Sequence, residues 1–146
     1  GQQDLHLSAD VRMTSFMKEC ERQGVACKVY SASEQMLWDM EYMPLINRIF
    51  MENPDMDGIF ASSDIIAAQC IQMAGTLGYR IPEDIKIVGY DDICLSRLLY
   101  PPLTTVHQDI KGLAKTAMDT VEELIEGKQV PESQVVSVSF IERKTT

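Results

Sequence analysis

The sequence has little of what a membrane protein, a nucleotide-binding enzyme or a triad hydrolase needs. Its 146 residues include no apolar run near the roughly 20 residues that span a bilayer. The phosphate-cradling patterns G-x-G-x-x-G and G-x-x-x-x-G-K-[ST] are absent. The two histidines, His6 and His107, do not stand beside an obvious nucleophile. We therefore predict that the chain is not an enzyme.

Basic residues are scarce. Lys and Arg number 13 against 22 Asp and Glu, which gives a formal net charge of −9. A nucleic-acid surface needs clustered cations that displace counterions from phosphates. If the protein serves DNA, a segment other than this one must make the contact.

Cysteine is present, but not in a metal-binding pattern. Cys20, Cys27, Cys70 and Cys94 form no C-x-x-C pair, and none has zinc-finger spacing with a histidine. Free thiols in apolar company behave as small hydrophobic residues. We expect reduced thiols in a core or interface, a cytoplasmic protein, and no cofactor or metal.

Helices and short apolar strands alternate along the chain. Helical spacing of apolar residues predicts four helices, over Ser8–Gln23, Met40–Glu52, the residues from Asp64 to Leu77, and Asp109–Glu126. Strands are predicted at Ala26–Tyr30, Gly58–Ala61, Ile85–Tyr90 and Val135–Ile141, with an irregular segment over 91–108. This order predicts an α/β fold with a doubly wound parallel sheet covered on both faces. Because a helix comes first, we expect the sheet to lack its first strand.

Acidic residues follow two of the predicted strands, where open parallel sheets bind ligands. Asp64 comes after one strand, as a helix cap or as a ligand contact, and Asp91-Asp92 come after another. A carboxylate accepts hydrogen bonds from vicinal hydroxyls, and arginine supplies a fork of donors. Trp38 is either a flat face for a sugar ring or ordinary packing. An enzyme using Asp91, Asp92 and Asp64 to hold Mg²⁺ is an alternative, but no lysine is well placed for it.

Several motifs, in order, resemble the lactose- and galactose-repressor-like family of bacterial transcription regulators. They are Asn53-Pro54-Asp55, Ile59-Phe60-Ala61-Ser62-Ser63-Asp64, Leu77 through Asp92, Pro101-Pro102-Leu103-Thr104-Thr105-Val106 and Arg143-Lys144-Thr145-Thr146. The resemblance implies a type-I periplasmic-binding-protein fold, with residues 1–146 mainly its C-terminal subdomain. It also implies that the DNA-binding headpiece and the N-terminal subdomain are absent from these residues.

The resemblance further implies a small effector, a carbohydrate, in a cleft between two subdomains. The ligand-binding positions it carries over are Ser8, Arg12, Trp38, Ser63, Asp91 and Gln108. Ser63, a shorter donor, stands where the family often has Asn, so the resemblance does not fix the specificity at that position. Ile110 replaces an aromatic residue seen in close relatives.

Regulators of this family pair side by side, so the resemblance implies a homodimer or a tetramer. The expected interface residues are Gln69, Gln72, Leu95, Leu98 and Tyr100. Operator DNA would be bound only through a helix-turn-helix outside this sequence. The alternatives are that the leucines cover the domain's own core, and that the protein is a periplasmic sugar-binding protein of the same fold.

Overall fold

The computed structural model describes residues 7–146, with side chains from residue 11 onward. Its helices are α1 (Leu7–Gln23), α2 (Glu34–Asp39), α3 (Met43–Glu52), α4 (Asp64–Leu77), α5 (Leu95–Leu98) and α6 (Ile110–Ile125). Its strands are β1 (Gly58–Phe60), β2 (Lys86–Asp91), β3 (Thr104–Gln108) and β4 (Val138–Ile141). Among these residues no helix is both long and apolar enough to cross a bilayer.

The four strands form one sheet in the order β1-β2-β3-β4. β1 pairs with β2, and β2 with β3, in parallel. β4 runs antiparallel to β3, with Thr105 opposite Ile141. The parallel α/β sheet is thus confirmed for three strands, and the last strand makes the sheet mixed.

Helices cover both faces of this sheet. A Cβ on Gly89 of β2 would lie 3.3 Å from Ala67 Cβ, so Gly89 faces α4. Side chains alternate along a strand, so the neighbouring Val88 faces the other side. Phe60 is paired with Val88 in register and stacks on Phe16 of α1, with ring centroids 4.9 Å apart. α1 and α4 therefore lie on opposite faces, as a doubly wound sheet requires.

The predicted strand at Ala26–Tyr30 is wrong. The segment has no strand hydrogen bonding, and side chains hold it against the end of α3 instead. Lys28 Nζ donates to Asn53 Oδ1 at 2.6 Å, and Tyr30 Oη donates to Glu52 Oε2 at 2.9 Å. In the common 2-1-3-4-5 strand order, the second strand pairs with the first and not with the third. Within residues 7–146 the first element is α1, so the structure describes no preceding strand with which this segment could pair.

The segment 91–108 is more regular than predicted, since it contains α5 and β3. The helix predicted from Met40 begins at Met43, because Met40 adopts a left-handed conformation that ends α2. α2 itself was not predicted. β4 begins at Val138, three residues later than expected.

The core lies between α3, α4 and the sheet. Its buried apolar residues are Tyr42, Ile46, Phe50, Ala61, Ala67, Cys70, Ile71, Met73, Ala74, Ile85, Ile87 and Leu103. α6 has the apolar stripe that the sequence indicates, yet none of its residues is buried. Leu113, Val121 and Leu124 are each about half exposed.

Candidate functional site

Three parallel strands end at the same edge of the sheet, and each is followed there by a polar group. Ser62 and Ser63 follow β1, Asp91 ends β2, and Gln108 ends β3. Because β2 lies between β1 and β3, the groups from the outer strands flank Asp91. This is the edge at which open α/β sheets bind ligands.

Arg12 reaches this edge from α1. Its guanidinium carbon lies 4.3 Å from the centre of the Tyr90 ring, and Nη1 donates to the carbonyl oxygen of Ser62 at 3.3 Å. Tyr90 faces α1 because it lies two residues beyond Val88 on the same face of β2. A cation over an aromatic ring is an attractive arrangement that fixes the position of the guanidinium. Arg12 is thereby placed beside the residue that immediately precedes Asp91.

Asp91 and Asp92 both have positive φ angles, of 110° and 55°. Residues other than glycine seldom adopt this region, and such strain concentrates at functional sites. Gln108 Nε2 donates to Asp91 Oδ1 at 2.6 Å. The bond joins the ends of β2 and β3, and it leaves Asp91 Oδ2 without a protein partner among the hydrogen bonds of the described residues.

Both carboxylate oxygens of Asp92, in contrast, have hydrogen-bonding partners in the protein. Oδ1 accepts from Arg143 Nη2 at 2.5 Å and from Ser96 Oγ at 3.0 Å, and Oδ2 lies 3.0 Å from His107 Nδ1. Burial raises the pKa of Asp92, but the hydrogen bonds from Arg143 and Ser96 outweigh it and hold the pKa below its usual value. Asp92 therefore anchors the loop after β2 as an ion.

Asp64 is fully buried at the start of α4. The cap of that helix is Ser63, whose Oγ accepts from Ile66 N at 3.4 Å. Asp64 Oδ1 accepts from Thr105 Oγ1 at 2.5 Å, and Oδ2 accepts from Ile93 N at 2.9 Å. Burial raises the pKa of Asp64, and Asp91 and Asp92 add to the rise, while the two hydrogen bonds oppose it. Asp64 is thus neither the cap nor an open ligand contact, because it ties α4 to β3 and to the loop after β2.

These hydrogen bonds disfavour the alternative of an enzyme that holds Mg²⁺ with Asp64, Asp91 and Asp92. Mg²⁺ is held by carboxylate oxygens, and here the oxygens of Asp64 and Asp92 already accept protein donors. Within residues 7–146, no cluster of three or more metal-ligating side chains occurs.

Two predicted ligand residues are less closely tied to the edge. Trp38 lies on α2 with 84% of its surface exposed, so ordinary packing within this domain does not account for it. Ser8 lies in the first turn of α1, and its side chain is outside the described residues, as is the whole of His6. Their roles remain predictions.

The predicted interface residues differ in how they are used within the domain. Gln69 Nε2 donates to Met40 O at 2.7 Å and Gln69 Oε1 accepts from Tyr42 N at 2.8 Å, so its amide braces the start of α3. Leu95 is half-buried. Leu98 and Tyr100 are 75% and 94% exposed, and Gln72 is exposed as well.

Four residues of the edge were not identified from the sequence as part of it, namely Tyr90, Ser96, Thr105 and Arg143. Tyr90 and Arg143 stand in the motifs that carry the family resemblance, but the pattern gave them no role. Ser96 and Thr105 are buried polar residues, which hydrophobic periodicity does not detect.

The α/β fold and the polar edge of its sheet are those of a periplasmic-binding-protein-like domain, and comparison with known proteins gives the same class. The chain matches the family described as periplasmic binding protein-like domain over residues 2–146, and it belongs to that family. Its relatives are LacI-family transcriptional repressors, which confirms the resemblance inferred from the motifs.

Among the curated relatives is the ribose operon repressor of Halalkalibacterium halodurans, 36% identical over 140 residues, which are 94% of this chain and 41% of that protein. A solved dimeric Lac repressor with an 11-residue C-terminal deletion superposes with a TM-score of 0.84 at 28% identity, over 95% of this chain and 50% of that one. A LacI-family regulator from Arthrobacter sp. FB24, solved in complex with lactose, gives 0.81 at 26% identity, over 93% and 51%. The chain thus spans about two fifths to one half of the length of these three proteins.

Proposed function

We propose that residues 1–146 are the effector-binding and dimerisation part of a LacI-type repressor whose effector is a carbohydrate. The observation that carries the proposal is the placement of Arg12, Asp91 and Gln108 at one edge of the sheet. A carboxylate oxygen and a guanidinium at the same edge of the sheet offer an acceptor and a donor fork, which suits vicinal hydroxyl groups. The ribose operon repressor and the lactose-bound regulator among the relatives support a sugar as the ligand class.

In this proposal Asp91 is the main hydroxyl acceptor. Its carboxylate is held by Gln108 on one oxygen, so it needs little reorganisation when a ligand arrives. Arg12 leaves the Ser62 carbonyl, a long bond at 3.3 Å, and turns its donors toward the ligand. Ser63 adds a hydroxyl group at the start of α4, Ser8 is a further candidate contact on α1, and the exposed Trp38 ring stacks on a sugar face.

The second wall of the cleft comes from a subdomain outside these residues. Two exposed apolar surfaces of this domain fit as contacts for that subdomain, the stripe of α6 and the side of β4 that carries Val138 and Phe140. Leu124, Val138 and Phe140 are 55%, 52% and 59% exposed, and contiguous exposed apolar patches mark interaction sites. Ligand bound between the subdomains would favour one hinge geometry and change operator affinity by its differential affinity for the two states.

The dimer contact in this proposal is formed by Leu98, Tyr100, Leu95 and Gln72, with Gln69 bracing the surface from within. In this proposal a helix-turn-helix outside this sequence binds the operator, since residues 1–146, with a net charge of −9, are poor in the cations that DNA phosphates need.

The test is calorimetric titration of the full-length protein with pentoses, hexoses and disaccharides. We expect one sugar to bind, and Asp91→Ala to weaken its binding by roughly 100-fold, since two hydrogen bonds to a charged group are lost. The matched control is Asp119→Ala, which removes an exposed acid from α6 and should leave affinity unchanged. The proposal fails if the sugar binds Asp91→Ala and Arg12→Ala as tightly as the parent protein.

A further inference from the structure

The proposed function uses Arg12 but gives no role to the ring that lies against it. The Arg12 guanidinium carbon is 4.3 Å from the centre of the Tyr90 ring. Tyr90 is half-buried on β2, and its side chain lies on the face of the sheet that α1 covers. Asp91 is the next residue along the strand, so the ring and the main hydroxyl acceptor of the proposed site come from consecutive positions.

Arg12 and Phe16 both contact the sheet through aromatic rings. They lie four positions apart on α1, which places them on one face of the helix. Phe16 stacks on Phe60 of β1 with ring centroids 4.9 Å apart, and Arg12 lies over Tyr90 of β2. Because β1 and β2 are neighbouring strands, the two contacts hold one face of the helix against one face of the sheet. Tyr90 thereby helps to fix the turn of α1 that carries Arg12.

The ring holds the guanidinium in a way that a hydrogen bond does not. Arg12 Nη1 donates to the Ser62 carbonyl oxygen at 3.3 Å, and this bond breaks if the same donor turns toward a ligand. The attraction between a cation and an aromatic face depends on the position of the charge over the ring and uses no N–H donor. Arg12 can therefore exchange one hydrogen-bond acceptor for another while its guanidinium stays over Tyr90.

We propose that Tyr90 is a positioning residue for effector binding, whose ring keeps the Arg12 guanidinium at the candidate site while Nη1 exchanges the Ser62 carbonyl for a sugar hydroxyl. The proposal rests on the proposed function, since it deepens the role of Arg12 there. An arginine side chain has many rotamers, and ordering it at the moment of binding costs affinity. A ring that orders the guanidinium before the ligand arrives reduces that cost, so Tyr90 raises affinity without touching the sugar.

Calorimetric titration of the full-length protein with the sugar that it binds tests this role. Tyr90→Leu removes the ring face and should weaken binding by roughly 5- to 10-fold, the value of a partly desolvated contact between a cation and a ring. Tyr90→Phe keeps the face and should bind as the parent does. Tyr30→Leu is the matched control, since Tyr30 also lies beneath an arginine, with Arg48 5.7 Å from its ring centre, but at the end of α3. It should leave affinity unchanged.

Two further measurements separate positioning from a general loss of packing. If Tyr90 acts through Arg12, adding Tyr90→Leu to Arg12→Ala should cost no further affinity, whereas damage to the sheet would weaken binding in either background. NMR of the full-length protein with isotope-labelled arginine reports the contact itself. The Arg12 side-chain protons, identified by their loss in Arg12→Lys, should be shifted upfield by the ring current both without and with the sugar, and Tyr90→Leu should abolish the shift.

The results distinguish this role from the proposed function. The role of Tyr90 alone is overturned if Arg12→Ala weakens sugar binding and Tyr90→Leu does not, or if Tyr90→Leu costs as much in the Arg12→Ala background. It is also overturned if the upfield shift is absent from the parent or disappears when the sugar binds, and these spectra decide the question even where Tyr90→Leu does not fold. If no sugar binds, or if Arg12→Ala and Asp91→Ala bind it as the parent does, the proposed function fails and this role fails with it.

Discussion

Arg143 and Asp92 lie 51 positions apart in the sequence, yet Arg143 Nη2 is 2.5 Å from Asp92 Oδ1. The pair is mostly withdrawn from water, with side-chain exposures of 15% and 7%. Arg143 Nη1 also donates to Leu103 O at 2.7 Å, so this one guanidinium joins the loop after β2 to the residue before β3. The candidate site depends on this link, because Asp92 directly follows Asp91.

Arg143→Met should therefore destabilise the domain by about 3 kcal/mol, since removing one partner leaves the buried Asp92 carboxylate uncompensated. Urea unfolding followed by circular dichroism measures the change. Lys115→Ala is the control, because it breaks an ion pair with Asp119 whose two side chains are largely exposed. Similar midpoint shifts in the two variants would show that the Arg143–Asp92 link carries no special weight.

The lowered pKa of Asp92 predicts how the unfolding free energy depends on pH. Its pKa is lowered in the folded protein, so ionisation stabilises the fold. That stability is fully present above the pKa of an unfolded aspartate, about 3.9, and is lost as the pH falls through the lower folded value. The difference in unfolding free energy between the parent and Asp92→Asn should shrink as the pH falls from 6 toward 3. A difference that widened on acidification would contradict the assignment.

The raised pKa of Asp64 predicts that its contribution to stability changes with pH in the opposite direction. Its pKa is raised by burial, so the folded state favours the protonated acid. Its ionisation therefore destabilises the fold as the pH rises from about 3.9 through the folded value. In the same urea experiments, the unfolding free energy of the parent minus that of Asp64→Asn should fall over that interval, because the amide of the variant cannot ionise. A difference that stayed flat or rose would contradict this reading of Asp64.

Gly89 should tolerate no side chain. A Cβ there would overlap Asp64 Oδ1 and lie 2.8 Å from Leu103 Cδ2, so Gly89→Ala should destabilise the domain by about 1–3 kcal/mol. Gly75→Ala is the matched control in α4, because nothing lies within 4 Å of its added Cβ. The control should stabilise the helix by about 0.5–1 kcal/mol. Thermal unfolding of the two variants should shift in opposite directions, and a shared direction would contradict the packing described for Gly89.

Leu98→Asp should break the proposed dimer. Leu98 is 75% exposed beside the 94% exposed Tyr100, and a buried unpaired carboxylate at an interface is strongly unfavourable. Light scattering after size-exclusion chromatography should report a monomer at concentrations where the full-length parent is a dimer. Val135→Asp, at a 93% exposed position before β4, should leave the dimer intact. A dimeric Leu98→Asp variant would move the interface elsewhere.

The sequence predicted the four longer helices, α1, α3, α4 and α6, because their apolar spacing and capping residues act locally, whereas the short helices α2 and α5 were missed. β3 was missed for a physical reason, since the side chains that it buries are Thr104 and Thr105 rather than apolar groups. Thr104 N donates to Thr145 Oγ1 at 2.8 Å, and Thr105 donates to Asp64. Partners 41 positions away satisfy these polar groups, and no local pattern reveals them.

Strand direction and strand pairing also depend on distant parts of the chain. β4 runs antiparallel to β3, although its own apolar pattern is the same for either direction. Ala26–Tyr30 alternates like a strand but has no described neighbour to pair with. At the candidate site, Asp91 was predicted from its position after a buried strand as well as from the family resemblance, and Arg12 and Gln108 came from the resemblance. The Arg12–Tyr90 contact depends on how α1 packs on the sheet.

In the proposed function, sugar bound at Asp91 changes the operator affinity of the full-length protein. The direct measurement is operator binding by fluorescence anisotropy, with and without the sugar found by calorimetry. The account predicts that sugar changes operator affinity in the parent protein, and that Asp91→Ala binds the operator normally but no longer responds to the sugar. An Asp91→Ala protein that responds at the parent's sugar concentration would contradict it.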